Sequence, residues 1–211
     1  MSEREAQQII RRVHELVGQQ SPRPLVARNT RETFRNGYFR VEEAHVASTV
    51  TGVTSVEPRI GSADPTLCLA VVVPVLQDGQ MVLWVRYRFA PSKWSVEFPR
   101  VLGTTIDEGW RDPVEKQLRV EAGLHCPDVR LLGAINSDMM FVSTSTIVVC
   151  GEECQDQGKP ETDGDPSKRD PLMAGTVNVS PECIDHLIRL GTIECGLTLA
   201  ALTLYRSRNH N

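Results

Sequence analysis

Residues 103–124, GTTIDEGWRDPVEKQLRVEAGL, constrain the fold more than any other stretch of the chain. They carry the start, stop and apolar spacing of a loop followed by a short amphipathic helix. Asp112-Pro113-Val114-Glu115 puts an acid at the N-cap, proline at the first helical position and glutamate at the third. The two acids can accept from free N–H groups of the first turn, and proline has no N–H to leave unpaired. Gly123 can adopt the left-handed conformation that ends helices. Between these signals Val114, Leu118 and Ala122 recur every four residues, which makes an apolar stripe for a core. Gln117, Val120 and Glu121 fall at i, i+3 and i+4 and share the neighbouring face. Three carboxylates at that spacing would hold magnesium, a hard cation that takes oxygen ligands. Here the same three positions read amide, isopropyl and carboxylate.

The segment resembles a Nudix box, the signature G-x5-E-x7-R-E-U-x-E-E-x-G-U of the Nudix hydrolases, where U is bulky and apolar. Aligned from its C-terminal end, Glu108 stands at the first acid, and Leu118, Glu121, Gly123 and Leu124 match. Leu102 takes the place of the opening glycine, Lys116 that of the arginine, and Gln117 and Val120 those of two glutamates. Matching the loop Ile106-Asp107-Glu108-Gly109 instead places Trp110 at an acid position and shortens the box by about two residues. The flanks extend the likeness. MVLWVRYRFAPSKWSVEFPR (81–100) is similar to the strand and "W-S-x-E-x-P-R" approach of the ADP-ribose pyrophosphatase branch. LIRLGTIECGLTLAALTLYRSR (187–208) resembles its closing helices, and TFRNGYFRV (33–41) its first strand.

This resemblance implies a Nudix α/β/α sandwich with a mixed sheet over 31–208, preceded by an N-terminal helix and proline-containing linker over 1–30. It also implies a nucleotide-diphosphate ligand, with Mg2+ or Mn2+ as cofactor and a homodimer as the common assembly. The catalytic positions it carries over are Glu121 and Glu108, and Glu121 alone is a weak metal ligand because magnesium needs near-octahedral oxygen coordination. Arg86 and Arg88, alternate residues of one strand, point to one side and can contact phosphates. Glu97 and Arg100 stand where the branch approaches its substrate. The bland alternative for Arg86 and Arg88 is pairing with surface acids, and for Glu121 a solvated helix position. Trp84 and Trp94 can stack on a base or simply fill a core. Further acids for a metal are available between 151 and 170, namely Glu152, Glu153, Asp156, Glu161, Asp163, Asp165 and Asp170. Asp138 is the only acid in NSDMMFVSTST (136–146). Three functions follow: a nucleotide-diphosphate binder with hydrolysis weakened or lost, an active Mg-dependent hydrolase drawing acids from the 151–170 loop, or a non-catalytic dimeric interaction protein.

Composition narrows the partners. A net charge of −4 argues against nucleic acid, whose binders show a basic face. No apolar run approaches a membrane span, and the N-terminus lacks a signal-peptide pattern, so the expected location is the cytoplasm. All six cysteines are expected to be free there; Cys150 and Cys154 are spaced like half of a metal site but have no second pair. Residues 2–17 read as an amphipathic helix with Ile9, Ile10, Val13, Leu16 and Val17 on one face. A linker is expected over 19–29, strands near 33–42 and 44–51, and a turn-rich insertion over 56–66. LCLAVVVPVL (67–76) reads as a buried strand turning at Asp78-Gly79 into 81–89. Strands follow near 129–135 and 145–150, then a polar loop over 151–176. Two helices close the chain, the first capped by Ser180 and ended by Gly191, the second over 195–207.

Overall fold

A computed structural model describes residues 3–18, 24–64, 66–104, 108–158, 170 and 172–209. The chain divides into two compact units, Met1–Ala63 and Asp64–Asn211.

The first unit holds helix α1 (Glu3–Gly18) and an antiparallel sheet ordered β1 (Leu25–Arg35), β2 (Phe39–Ser48), β3 (Thr54–Ser62). Helix α1 forms where the apolar spacing places it; its expected cap, Ser2, lies outside the described residues. The β1–β2 turn forms because the Asn36 side-chain oxygen accepts from the N–H groups of Tyr38 and Phe39 at 2.8 and 2.9 Å. Two expectations need correction. Strand β1 begins inside the segment read as a linker, so a boundary at residue 30 cuts through it; Leu25, Val26 and Ala27 pair with Ser48, Ala47 and Val46. The stretch read as a turn-rich insertion is largely β3. Its Pro58 is tolerated because β3 lies at the sheet edge, where a missing N–H breaks no ladder on the open side.

The second unit is built on an eight-stranded mixed sheet. Its strands are β4 (Cys68–Leu76), β5 (Met81–Arg88), β6 (Lys93–Glu97), β7 (Arg100–Thr104), β8 (Leu124–His125), β9 (Asp128–Ile135), β10 (Thr146–Asp156) and β11 (Met173–Val179). The main order is β11-β5-β4-β10-β8, with β6 on β5, β7 on β4 and β9 on β10. Strands β4 and β10 run parallel; the other pairs are antiparallel. Helices α2 (Arg111–Gln117), α3 (Pro181–Arg189) and α4 (Gly196–Asn209) complete it. The Asp78-Gly79 hairpin forms as expected, with Gly79 at φ 81°.

The two-residue period of β4 sorts its side chains between two cores. Ala70 and Val72 join Trp84, Val114, Leu118 and Ala122 on the α2 face. Val71 and Val73 join Leu83, Phe98, Ile184, Ala201 and Leu202 on the α3–α4 face. A sheet buried on both faces explains why this strand reads as an unbroken apolar run. The expected α/β/α layering is present.

Helix α2 deviates from the expected geometry at both ends. It opens two residues early, after a 3-10 turn over Glu108–Trp110, and Trp110 as N-cap makes no side-chain cap bond, so Asp112 sits in the first turn instead. The coil then widens to a π turn over Leu118–Ala122 and stops at Gly123, whose φ of 64° only glycine adopts freely. Trp110 is buried in the α2 core, so it does not occupy a solvent-facing acid position.

The cysteine expectation is also corrected. Cys126 and Cys154 form a disulfide with Cα atoms 4.1 Å apart. Antiparallel pairing of β8 with β10 (Gln155↔His125) brings together residues 28 apart in sequence, which spacing alone does not reveal. Gly151 packs against this bond: a Cβ there would lie 2.9 Å from the Cys126 sulfur and 3.0 Å from that of Cys154. Cys150 points into the opposite core, so Cys150 and Cys154 make no metal pair. With a disulfide present, cysteine usage no longer speaks for a reducing compartment. Among the described residues no helix is long and apolar enough to cross a membrane.

Candidate active site

Strand β5 positions the site through its two-residue period. Val82 and Trp84 are buried in the α2 core, and the same row continues as Arg86 and Arg88 where the strand leaves that core. Both guanidiniums line a cavity of about 850 Å3, together with Glu97, Arg100, Asn136 and Cys195. Thus the four residues expected to meet substrate lie around one opening. The charged residues of its wall are Arg86, Arg88, Lys93 and Arg100 against Glu97 and Glu194, four cations to two carboxylates. Lys93 pairs with Glu194, and the three arginines bring guanidinium N–H donors to the opening, which suit an anion.

Glu97 is the buried centre of one half. Its side chain is 1% exposed and is paired with Arg88 on one oxygen. The other oxygen accepts from Arg100 at 3.0 Å and from the Ser95 hydroxyl at 3.2 Å. Arg100 also donates to the Cys195 sulfur at 2.7 Å, tying the sheet to the start of α4. The adjacent Phe98 N–H donates to the Thr198 hydroxyl at 3.1 Å. A carboxylate this deep is tolerated because two cations and a hydroxyl satisfy it.

Arg86 organises the other half. Its Nη1 donates to Glu121 Oε2 at 3.2 Å and its Nη2 to Asp170. Glu121 Oε1 accepts from the Gln117 amide, one helical turn back, as the i, i+4 spacing predicts. Asp170 is held in turn by the Leu172 N–H at 2.8 Å, and the Leu172 carbonyl accepts from Tyr87 on β5 at 2.7 Å. Burial raises the carboxyl pKa of Glu121; Arg86 opposes that shift and Asp170 adds to it. Glu121 is therefore a partly buried, paired acid and not a freely solvated helix residue. Among the described residues no cluster of three or more His, Cys, Asp or Glu side chains is placed to hold a metal ion. Both oxygens of Glu121 and both of Asp170 already accept hydrogen bonds. With one lone pair of each oxygen taken and the Arg86 cation between the two acids, the described residues do not fit a divalent cation.

A solved structure described as an ADP compounds hydrolase superposes with a TM-score of 0.72 over 89% of this chain and 95% of its own, at 17% identity. The fold is Nudix-like. No protein-family profile matches the sequence, and no curated protein matches it either. At that identity the likeness speaks for the architecture alone.

Within the Nudix-like fold the remaining candidates separate. The side chain of Glu108 lies outside the described residues, as do Glu161, Asp163 and Asp165. Glu152 accepts from Arg130 at 2.8 Å, and Asp156 caps the turn at Gly158, so both serve the β10 strand and its exit. Glu153 sits in a bulge at φ 52°. Asp138 caps its own turn through the Met140 N–H. Of the described loop acids only Asp170 reaches the site. Trp84 is core, with the Arg86 guanidinium 5.7 Å from its ring. Trp94 is 53% exposed and packs edge-on against Tyr87, a cavity-lining residue, at 5.6 Å. Cys195 was not legible as a site residue; its only sequence signal is its place just before a helix.

Proposed function

We propose that the protein binds a nucleotide-diphosphate compound in the cavity bounded by Arg86, Arg88, Glu97 and Arg100, and that hydrolysis of that ligand is weak or lost. The observation that carries this reading is a contrast between two neighbouring groups. The cavity presents three arginines to a ligand, whereas the one retained acid of the box-like helix, Glu121, is committed to Arg86 and Gln117. A diphosphate finds planar donors in Arg88 and Arg100. A base finds aromatic surface at the cavity wall in the exposed Phe89 and the half-buried Tyr87.

The test is calorimetric titration with ADP-ribose, UDP-glucose and NAD, beside product release from the same panel with Mg2+ or Mn2+. Saturable binding without turnover is expected. Arg88→Gln, which removes one charge-assisted hydrogen-bond donor, should weaken binding by about tenfold to a hundredfold. If none of the compounds binds, the reading fails.

One observation favours the second reading, an active hydrolase. Asp170 from the expected loop does stand beside Glu121, with the two acids sharing Arg86. Metal-dependent turnover abolished by Glu121→Gln would establish that reading in place of the first. For assembly we propose a homodimer through the N-terminal unit. Strand β1 is exposed along its whole length, and α1 leaves Ile9, Val13 and Leu16 uncovered. A monomer by light scattering at micromolar concentration would remove it.

A further inference from the structure

The Nudix-like fold implies a divalent ion beside the box helix, and the residues here are arranged against one. We propose that Arg86 is a protein-supplied cation standing beside Glu121 and Asp170 in the place of a divalent metal ion, so that this cavity takes its phosphate ligand without metal.

Each carboxylate oxygen has two lone pairs, and every oxygen of the two acids already spends one, so a metal would have to share each ligand with a donor already in place. Glu121 gives one oxygen to Gln117 Nε2 and the other to Arg86 Nη1 at 3.2 Å. Asp170 gives one oxygen to Arg86 Nη2 and the other to the Leu172 N–H at 2.8 Å. A single guanidinium thus bridges the two acids, one nitrogen to each. Arginine suits this because it stays charged at any accessible pH and its fork is planar and rigid.

Charge gives the same answer. Arg86 and Glu121 have side chains only 16% and 18% exposed, so the solvent does little to screen them. A divalent ion entering beside Arg86 would set three positive charges against two carboxylates at close range. It can enter only if Arg86 withdraws. Withdrawal is opposed because the Arg86 stem follows Trp84 on β5, with the guanidinium 5.7 Å from the Trp84 ring, and two acids hold its head.

The same anchoring makes Arg86 a preorganised ligand contact. Of the five N–H donors of a guanidinium, two serve the acids and Nε is buried without a partner among the described residues. That leaves two N–H groups on a residue that lines the cavity. A phosphate can use them while Arg86 stays in place, so less ordering is needed on binding. This ligand half rests on the nucleotide-diphosphate reading above; the metal half does not.

Two titrations of the full chain test it separately. Mn2+ alone, followed by the loss of its free-ion paramagnetic resonance signal, should show no site at millimolar metal in the unmodified protein. Arg86→Gln frees both acids and should gain Mn2+ affinity by about tenfold or more, the scale on which one nearby charge shifts an ionic equilibrium. Adding Glu121→Gln should abolish that gain. A Mn2+ site in the unmodified protein that Glu121→Gln removes overturns the proposal, and this arm needs no Arg86 variant to fold. A folded Arg86→Gln protein that gains no Mn2+ binding also overturns it. In the second titration ADP-ribose should bind equally with EDTA and with Mg2+; binding that appears only with Mg2+ overturns the proposal. Absence of ADP-ribose binding under both conditions instead refutes the nucleotide reading, and the Mn2+ arm still decides the role of Arg86.

Discussion

Glu97 offers the sharpest test of how the cavity is held together. Replacing it with alanine removes a carboxylate that is 1% exposed and leaves Arg88 and Arg100 facing each other without a counter-charge. Removing one partner of a fully buried ion pair costs about 3–5 kcal/mol. Here the arginine side chains are 31% and 22% exposed, so water recovers part of their solvation. The expected loss is therefore at the low end, about 3 kcal/mol. That is a large share of the ~5–15 kcal/mol that holds a typical protein folded. Glu97→Gln keeps the volume and the Ser95 contact and should lose less, about 2 kcal/mol, with the difference reporting the packing. Urea unfolding followed by tryptophan fluorescence gives both values from the midpoint at constant slope. A cycle with Arg88→Ala should show a coupling of about 1 kcal/mol or more, because the two side chains touch. Loss of less than about 1 kcal/mol in Glu97→Ala would refute the reasoning. The cluster would then behave as a screened surface network.

Three further outcomes follow from the cysteines. Denatured protein should titrate four free thiols without reductant and six with it, given the Cys126–Cys154 bond. Breaking that bond by Cys126→Ser with Cys154→Ser should cost about 3.5 kcal/mol for a loop of this length in the chain-entropy account, read as a lowered urea midpoint. Cys150 is a buried thiol whose pKa is pushed up from 9.0 to about 12, chiefly by burial and then by Glu152. A raised folded pKa means the unfolded chain releases the proton first as pH climbs. Its contribution is fully present below pH 9, declines between 9 and 12, and is lost above. The slope should approach about 1.4 kcal/mol per pH unit. Cys150→Ala should flatten that window relative to the unmodified protein; equal pH dependence of the two would contradict the assignment.

Some of this protein is legible in local residue order because the forces involved are local. The apolar run 67–76 forces a strand buried on both faces. Asp78-Gly79 forces a tight turn, and Gly123 ends a helix because its backbone can turn left-handed. The alternation of Arg86 and Arg88 puts both on one side of a strand by pleat geometry alone. Gln117 and Glu121 are neighbours for the same kind of reason, one helical turn apart.

What only the tertiary structure decided is which distant groups meet. Seven acids between 151 and 170 look alike in sequence, yet of those described only Asp170 reaches Arg86, because the Leu172 carbonyl is bonded to β5. Cys126 and Cys154 look like unrelated thiols until β8 pairs with β10. Pro58 reads as a turn until β3 proves to be a sheet edge. Most decisively, Glu121 reads as a solitary surface acid on its helix. The packing of α2 beside β5 makes it the partner of an arginine 35 residues away. Short-range order sets helix, strand and turn because backbone geometry acts over a few residues; charge neutralisation acts through space, and space is set by the fold.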